Sequence, residues 1–571
     1  MEQQINNVNN PEDDGFQSGN MYCYNPRNSN SINDPPKESD QQNAIRRSTD
    51  ERNANIGLQN NEEKSSEQRI DKIKDSSSPF QINPTNVFHP KREPKNNYYL
   101  VYILIGMLQA ILITLIATLY KFDENGGDPK PTKIRNPFYY YYNFFKDVHL
   151  MIFIGFGLLY ASLKDHQWSS IIIVLFIGII SCEISFFWNY LWWNSFTKGG
   201  GWTKVSLNFE QLSQIYYISA TVLISLGSLI GKLSIGQLLL MSFFETFASS
   251  LNYYLCYKKI KAIDNGGSLY IHTFGAVFGI TVLISVFCRK KEHIKIINNP
   301  HLSSDYYSNM ISFIGSIFLW LYFPSFNTSR IQCKGDEKDT NDVMKDVMEI
   351  LRYRGIINTY LSMIGSVIGT FIISPLVSSG KMKIEHLLNA SYVGGIIIGG
   401  CCTICSAAWG AILIGFIGGS LSVLGLWKLK KMLANHKFED TFGILFTFGI
   451  PGLLGSFLNS IFIGNFKNST WKSVEIQNLF GINRSPSKQG GVQIAAIFVT
   501  LAFSGLFGIF IGFVLRAIKC QKNELYFVDS ELFIEDENIP FPEWKFPMND
   551  ENLSSSGNKI NVDEREVNIQ Q

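Results

Sequence analysis

The chain has 571 residues, of which 46% are hydrophobic, 14% aromatic and only 17% charged, and its formal net charge is +2. So balanced a chain has no broad basic surface to neutralise phosphates, which argues against nucleic acid as a partner. From 98 to 519 the sequence runs in uncharged stretches of Ile, Leu, Phe, Gly and Ser, several too long for soluble helices, and this excludes a soluble multidomain enzyme.

Residues 1–97 are a different material, rich in Asn, Ser, Asp, Glu, Gln, Lys and Pro with almost no aliphatic clusters. Such a head buries too little apolar surface to offset the entropy of ordering, so a disordered cytoplasmic tether is expected. No cleavable signal peptide is expected before it, and the first apolar stretch must then act as the insertion signal. Crossing the hydrocarbon core takes roughly 20 helical residues. About twelve stretches qualify, with limits near 98–120, 148–164, 168–194, 211–231, 234–257, 267–288, 306–326, 354–378, 385–403, 406–428, 440–464 and 491–518. Runs such as 168–180 and 393–400 are continuous rather than alternating, which rules out barrel strands. The expected fold is therefore an all-α integral membrane protein, followed by a cytoplasmic tail over 520–571.

An even number of spans puts both termini on one side. Lys91, Arg92, Lys95, Arg289, Lys290, Lys291, Lys428, Lys430 and Lys431 gather on that side, which reads as cytoplasmic, with the plasma membrane as the expected host. Asn468-Ser469-Thr470 is a glycosylation-type triplet on the opposite face. Nine cysteines show no repeated ligand spacing; Cys401, Cys402 and Cys405 sit among small apolar residues and read as packing, so no metal or other cofactor is expected. Gly155-Phe156-Gly157 lacks the strand and acidic partner of a dinucleotide site. Glycines at 394, 395, 399, 400, 410, 415, 418 and 419 point to close helix packing.

Ionisable groups inside a span are costly and are functional candidates by default. Asp264 stands at the mouth of the sixth span, and His272 follows eight residues later, roughly 12 Å deeper on a helix. Read alone, the pair fits an entrance acid and an interior imidazole, or equally a helix cap and a packed histidine.

The run Gly266-Gly267-Ser268-Leu269-Tyr270-Ile271-His272-Thr273-Phe274-Gly275-Ala276 resembles the signature of Rhesus-type glycoproteins of the ammonium transporter superfamily. Further matches follow in order: Asp147-Val148-His149 through Gly157, Leu229-Ile230-Gly231-Lys232, Phe318 through Asn327, Asn389-Ala390-Ser391-Tyr392-Val393-Gly394-Gly395 and Asp440-Thr441-Phe442-Gly443. The resemblance covers nearly all of 98–519. It implies a homotrimer of twelve-span, inverted-repeat bundles in the lipid bilayer, each with its own apolar pore for ammonia, recruited as ammonium at the outer mouth. It also implies that Asp264 serves fold and conduction, and that two stacked aromatic rings, here Phe326 and Tyr217, close the outer end. The role of His149 is left open.

The same resemblance implies a second pore histidine in a Gly-Val-His-Asn-Leu-His-Gly segment. Here the chain reads Gly443-Ile444-Leu445-Phe446-Thr447-Phe448-Gly449. Leu445 is assigned the partner's place and Phe448 that of the other histidine; an internal echo with His272-Thr273-Phe274-Gly275 would select Phe446 instead. Two linked imidazoles could pass a proton or hold water, because each ring offers a donor and an acceptor. A lone His272 does neither with such a neighbour, so electrogenic ammonium transport is expected to be impaired. The expected function is a channel for ammonia or another small neutral gas. The alternatives are a closed, structural or scaffolding relative and a carbon dioxide or other small-solute channel, and no enzyme motif competes. The cytoplasmic partners of the head and tail are left open.

Overall fold

Lipid offers the backbone no water, so every N–H and C=O must find a partner within the protein, and helices meet that demand segment by segment. A computed structural model describes residues 97–122, 138–196, 202–287, 303–331, 342–434, 439–465, 484–518 and 529. The polar head, the Asn468 triplet, the basic residues at 91, 92, 95 and 289–291, and the tail apart from Asp529 lie outside the described residues.

The described residues are predominantly helical. α1 is Asn97–Leu119, and α2 runs from Phe138–Leu150 through a wide π-type turn, Met151–Gly155, into Phe156–Tyr160. α3 is Gln167–Phe196, α4 is Phe209–Gly227, and α5 is Ile235–Tyr254 with a wide final turn, Leu255–Ile260. α6 opens with a wide turn, Ser268–Thr273, and continues as Phe274–Val286. α7 is Tyr306–Thr328 and α8 is Asp342–Val377. α9 comes in two pieces, Ile384–Ala390 and Val393–Ile398. α10 joins Ala408–Leu424 to Lys430–Ala434 through a wide turn at Gly425–Leu429. α11 mirrors α6, a wide turn at Leu445–Gly449 leading into Ile450–Gly464, and α12 is Pro486–Ala517. The one sheet among the described residues pairs β1, Tyr120–Phe122, in parallel with β2, Val205–Leu207.

Eight of these helices, among the described residues, are long and apolar enough to cross a membrane: α1, α3, α6, α7, α8, α10, α11 and α12. The others carry more polar residues or are shorter, and the bundle satisfies those groups internally. The Ser219 hydroxyl on α4 donates to the Gly178 carbonyl at 2.8 Å, and the Asn252 amide on α5 donates to Thr500 on α12 at 3.2 Å. Several limits differ from those expected. α2 begins at Phe138 and α8 at Asp342, because apolar windows overlook the polar N-terminal turns of a helix. The stretch expected to span 385–403 stops at Ile398, since the following backbone is diverted. The Gly399 carbonyl accepts from Gly266 N–H at 2.9 Å, and the Gly400 N–H donates to Ser268 Oγ at 2.7 Å.

Small residues decide the closest crossing, between α8 and α10. Gly365 and Gly369 of α8 pack on the α10 backbone at Ile412 and Phe416, and Gly415 and Gly419 of α10 pack on the α8 backbone at Ser362 and Ser366, each pair spaced one turn apart. A Cβ on Gly415 would stand 1.7 Å from the Ser362 carbonyl oxygen, and one on Gly365 2.0 Å from that of Ile412. Both obstacles are backbone, which cannot swing aside. Gly415→Ala is therefore expected to lower the melting temperature of the detergent-purified chain, with a cost at or above the upper end of the ~1–3 kcal/mol typical of overpacking. Gly410→Ala, whose Cβ would meet nothing nearer than 3.7 Å, is the control. Equal melting temperatures for the two variants would contradict this packing.

Outside the apolar core, buried side chains tie the loops together. The Lys232 ammonium donates to the carbonyls of Ser228 at 2.9 Å and Glu439 at 2.7 Å, and Lys430 donates to the Thr441 carbonyl and the Glu385 carboxylate, both at 2.7 Å. Two lysines thus grip the backbone on either side of Asp440. From the tail, the Asp529 carboxylate accepts the N–H groups of Trp168 and Ser169 at 2.8 and 2.7 Å, and so caps the start of α3.

Candidate functional site

The site grows from one local plan that the chain uses twice. Asp264 Oδ2 accepts the N–H groups of Leu269 at 2.8 Å and Tyr270 at 2.9 Å, and Gly267 between them takes a left-handed conformation with φ +73°. That conformation suits glycine because no Cβ clashes. The N–H groups of Ile271 and His272 then share the Gly267 carbonyl, each at 3.0 Å, so α6 opens with a wide turn. In the second copy Asp440 Oδ2 accepts from Leu445 N–H at 2.9 Å, Gly443 has φ +69°, and the Gly443 carbonyl receives the N–H groups of Phe446 and Thr447. Asp440, Gly443 and Phe448 carry the same spacing as Asp264, Gly267 and His272. The two helices meet closely, since a Cβ on Gly452 of α11 would lie 2.5 Å from the Ser268 carbonyl of α6.

His272 is 1% exposed, and among the described residues neither ring nitrogen has a hydrogen-bond partner. Its ring lies against Phe326 at 5.7 Å between centroids, Phe448 at 5.8 Å and Phe323 at 5.9 Å; with Phe448 the planes are within 28° of parallel. This corrects the expected register of the eleventh span. The residue against His272 is Phe448, whereas Leu445 holds the position that Leu269 has in the first copy and is half-buried, its N–H on Asp440. Phe446 packs elsewhere, with its ring 2.3 Å from where a Cβ on Gly425 of α10 would stand.

Buried rings continue in both directions. Phe448 stacks on Phe156 at 5.8 Å and touches Tyr392 at 5.7 Å, and Phe156 leads through Tyr160 to Phe442. On the other side Phe326 meets Tyr217 edge-on at 4.7 Å. The extra hydroxyl of Tyr217 is satisfied, as it donates to the Phe326 carbonyl at 2.8 Å and also contacts Ser329. Beyond this pair opens a narrow cleft lined by Gln214, Tyr217, Ser249, Tyr253, Tyr270 and Arg330 among others.

Residues 128–524 match the family model described as the Ammonium Transporter Family. The chain belongs to that family. Within it the similarity is to the Rh-type branch. The ammonium transporter Rh type C of Xenopus laevis is 33% identical over 393 residues, covering 67% of this chain and 77% of the relative. The Rh type B protein of Oryzias latipes is 31% identical over 443 residues, covering 74% and 90%. Among solved structures, the Rh50 protein of Nitrosomonas europaea superposes with a TM-score of 0.56 at 26% identity, covering 72% of this chain and 95% of that one. Mep2 of Saccharomyces cerevisiae shares the fold at 18% identity, with a TM-score of 0.53 and coverage of 72% and 98%. This is a family of membrane transporters and channels rather than enzymes.

The other residues that matched the Rh-type pattern take mainly architectural places. The Asn327 amide donates to Thr359 at 3.1 Å and to the Gly395 carbonyl at 2.9 Å, joining α7 to α8 and α9. Asp147 accepts from the Ser325 hydroxyl at 2.7 Å and joins α2 to α7. His149 lies on the flank of α2 with Phe145, Phe153 and Tyr216 around it. Sequence reasoning passed over Glu245, which is wholly buried on α5 with one oxygen on the Ser225 hydroxyl, although a carboxylate in an apolar run was the signal for it. It also passed over Arg330, which reads as a loop residue until the fold curls it onto Tyr217.

Proposed function

We propose that this chain is an Rh-type ammonium channel that carries ammonia as the neutral molecule, along the line from the Tyr217–Phe326 pair past His272. The observation that supports this reading is the surround of His272, whose ring neighbours are Phe323, Phe326 and Phe448 rather than a titratable group. Moving an unpaired ion from water into a low-dielectric interior costs of order 20 kcal/mol in the idealised limit. A desolvated cation–π contact returns about 2 kcal/mol. Ammonia avoids nearly all of that cost. Leu445 is not among the ring neighbours of His272, so the substitution that matters is Phe448.

The test is stopped-flow flux in liposomes containing the purified full chain. Ammonia uptake faster than in protein-free vesicles, without an ammonium-evoked current on a supported membrane, is the expected result. Currents that scale with protein density would overturn the neutral mechanism. One observation favours a closed, structural member of the family as the second reading: Phe448, Phe156 and Tyr392 are each no more than 2% exposed, and the Phe448 ring contacts both of the others. Absence of flux for ammonia, methylamine and carbon dioxide alike would select it, and flux of carbon dioxide alone would select a gas channel of that kind. The homotrimer, the plasma membrane and the cytoplasmic termini belong to the same proposal, supported by the resemblance to Rh-type relatives and by the lysines at 428, 430 and 431.

A further inference from the structure

The cleft outside the Tyr217–Phe326 pair is lined by aromatic faces, and a cation is already fixed there. The Arg330 guanidinium sits 5.0 Å from the centre of the Tyr217 ring and 4.8 Å from that of Tyr253. Arg330 follows the end of α7, and Tyr217 and Tyr253 come from α4 and α5, so the bundle itself assembles the arrangement. Tyr217 is held in place through its hydroxyl by the Phe326 carbonyl, which keeps one π face toward the cleft. Two aromatic faces converging on one point form a receptor for a small cation. Here that point is filled by a side chain that stays charged at every accessible pH.

We propose that Arg330 is a specificity-determining residue: its guanidinium takes the cation–π position of the cleft and weakens the hold of the cleft on alkylammonium and ammonium ions, so that neither accumulates outside the Tyr217–Phe326 pair. The weakening is both steric and electrostatic, because a second cation would lose the π faces and meet a like charge at close range. Asp264 acts on Arg330 with the opposite sign. Its Oδ2 is committed to the Leu269 and Tyr270 N–H groups, and Oδ1, which has no hydrogen-bond partner among the described residues, is buried with the rest of the residue at 6% exposure, so an incoming ion reaches the carboxylate only by displacing its cover. This inference rests on the proposed path for ammonia, and it identifies what the mouth of such a path would hold only weakly.

The experiment reads binding rather than flux, so its outcome stands apart from that of the conduction test. Methylammonium is titrated calorimetrically into the full chain in nanodiscs, using wild type, Arg330→Gln, Arg330→Met and Arg330→Lys. The expected result is that Arg330→Gln and Arg330→Met bind methylammonium about tenfold more tightly than wild type, the equivalent of one cation–π contact regained. Arg330→Lys should behave as wild type, since it restores the charge. A loss of contacts that merely loosened the fold would move all three variants together. Saturable methylammonium binding by the wild type as tight as that of either uncharged variant overturns the proposal, and so does an Arg330→Lys chain that binds as Arg330→Gln does. If one uncharged variant fails to fold, the other and the wild-type titration still decide the matter. Should the wild type bind no methylammonium and also conduct no ammonia, the conduction reading fails while the role of Arg330 in the cleft is kept or lost on the binding data alone.

Discussion

Asp264→Ala is expected to leave little folded channel. The carboxylate accepts two backbone N–H groups at the buried start of α6, and hydrogen bonds to a charged group contribute about 1.5–3 kcal/mol each. Removing it strands two donors where water has little access, so the total loss is about 5 kcal/mol, comparable with the whole stability of many domains. Asp264→Asn keeps an acceptor oxygen and should lose roughly half as much. Asp440→Ala provides an internal scale. Its carboxylate, in the second copy of the motif, accepts one N–H, that of Leu445, among the bonds described, so its loss should be the smaller. Fluorescence-detected size exclusion and thermal unfolding in detergent measure all three. An Asp264→Ala chain that elutes as one symmetric species and melts within a couple of degrees of wild type would show that the cap is dispensable.

How far the sequence could be read follows from where each signal resides. Asp264 and His272 stood out because ionisable residues are expensive in an apolar run, and the fold puts them at the start of α6 and inside the aromatic cluster. The order of twelve helical stretches was legible for the same reason. Their limits were not, because a helix can begin in polar residues, as α8 does at Asp342, or stop when glycine backbone is needed by a neighbour, as α9 does at Ile398. The register of the eleventh span was misassigned for a different reason. The Rh-type segment carries two histidines, matched by Leu445 and Phe448, and the partner's place went to Leu445, or to Phe446 by the internal echo, because composition cannot choose among them. The choice comes from the repeated spacing of an aspartate, a left-handed glycine and the residue eight places after the aspartate, a signal present in the sequence that becomes compelling once Gly267 and Gly443 are seen in the same backbone conformation. Arg330 was beyond sequence reasoning, since its meaning depends on rings supplied by α4 and α5.

Phe448→His is expected to give the channel an ammonium-evoked current that the wild type lacks. The substitution would set a second imidazole beside His272, where the ring centroids now stand 5.8 Å apart. Rings at that separation need move by less than about 1 Å to bring two nitrogens into hydrogen-bond range. The smaller side chain also frees space among Phe156, Tyr392 and His272 in which water can be held. Each imidazole then supplies a donor and an acceptor, so a proton released by an entering ammonium ion has somewhere to go. A charge-assisted hydrogen bond of about 1.5–3 kcal/mol, felt by the ion and absent from the neutral case, corresponds to a rise of roughly ten- to a hundredfold in charge transfer. Leu445→His, the change that pattern matching alone would recommend, places its imidazole at the counterpart of Leu269 and should leave the current at the wild-type level. Solid-supported-membrane recordings of the two variants in parallel therefore test the geometry as well as the chemistry: current from Leu445→His with silence from Phe448→His would mean that α11 presents a different face to His272 than the one described.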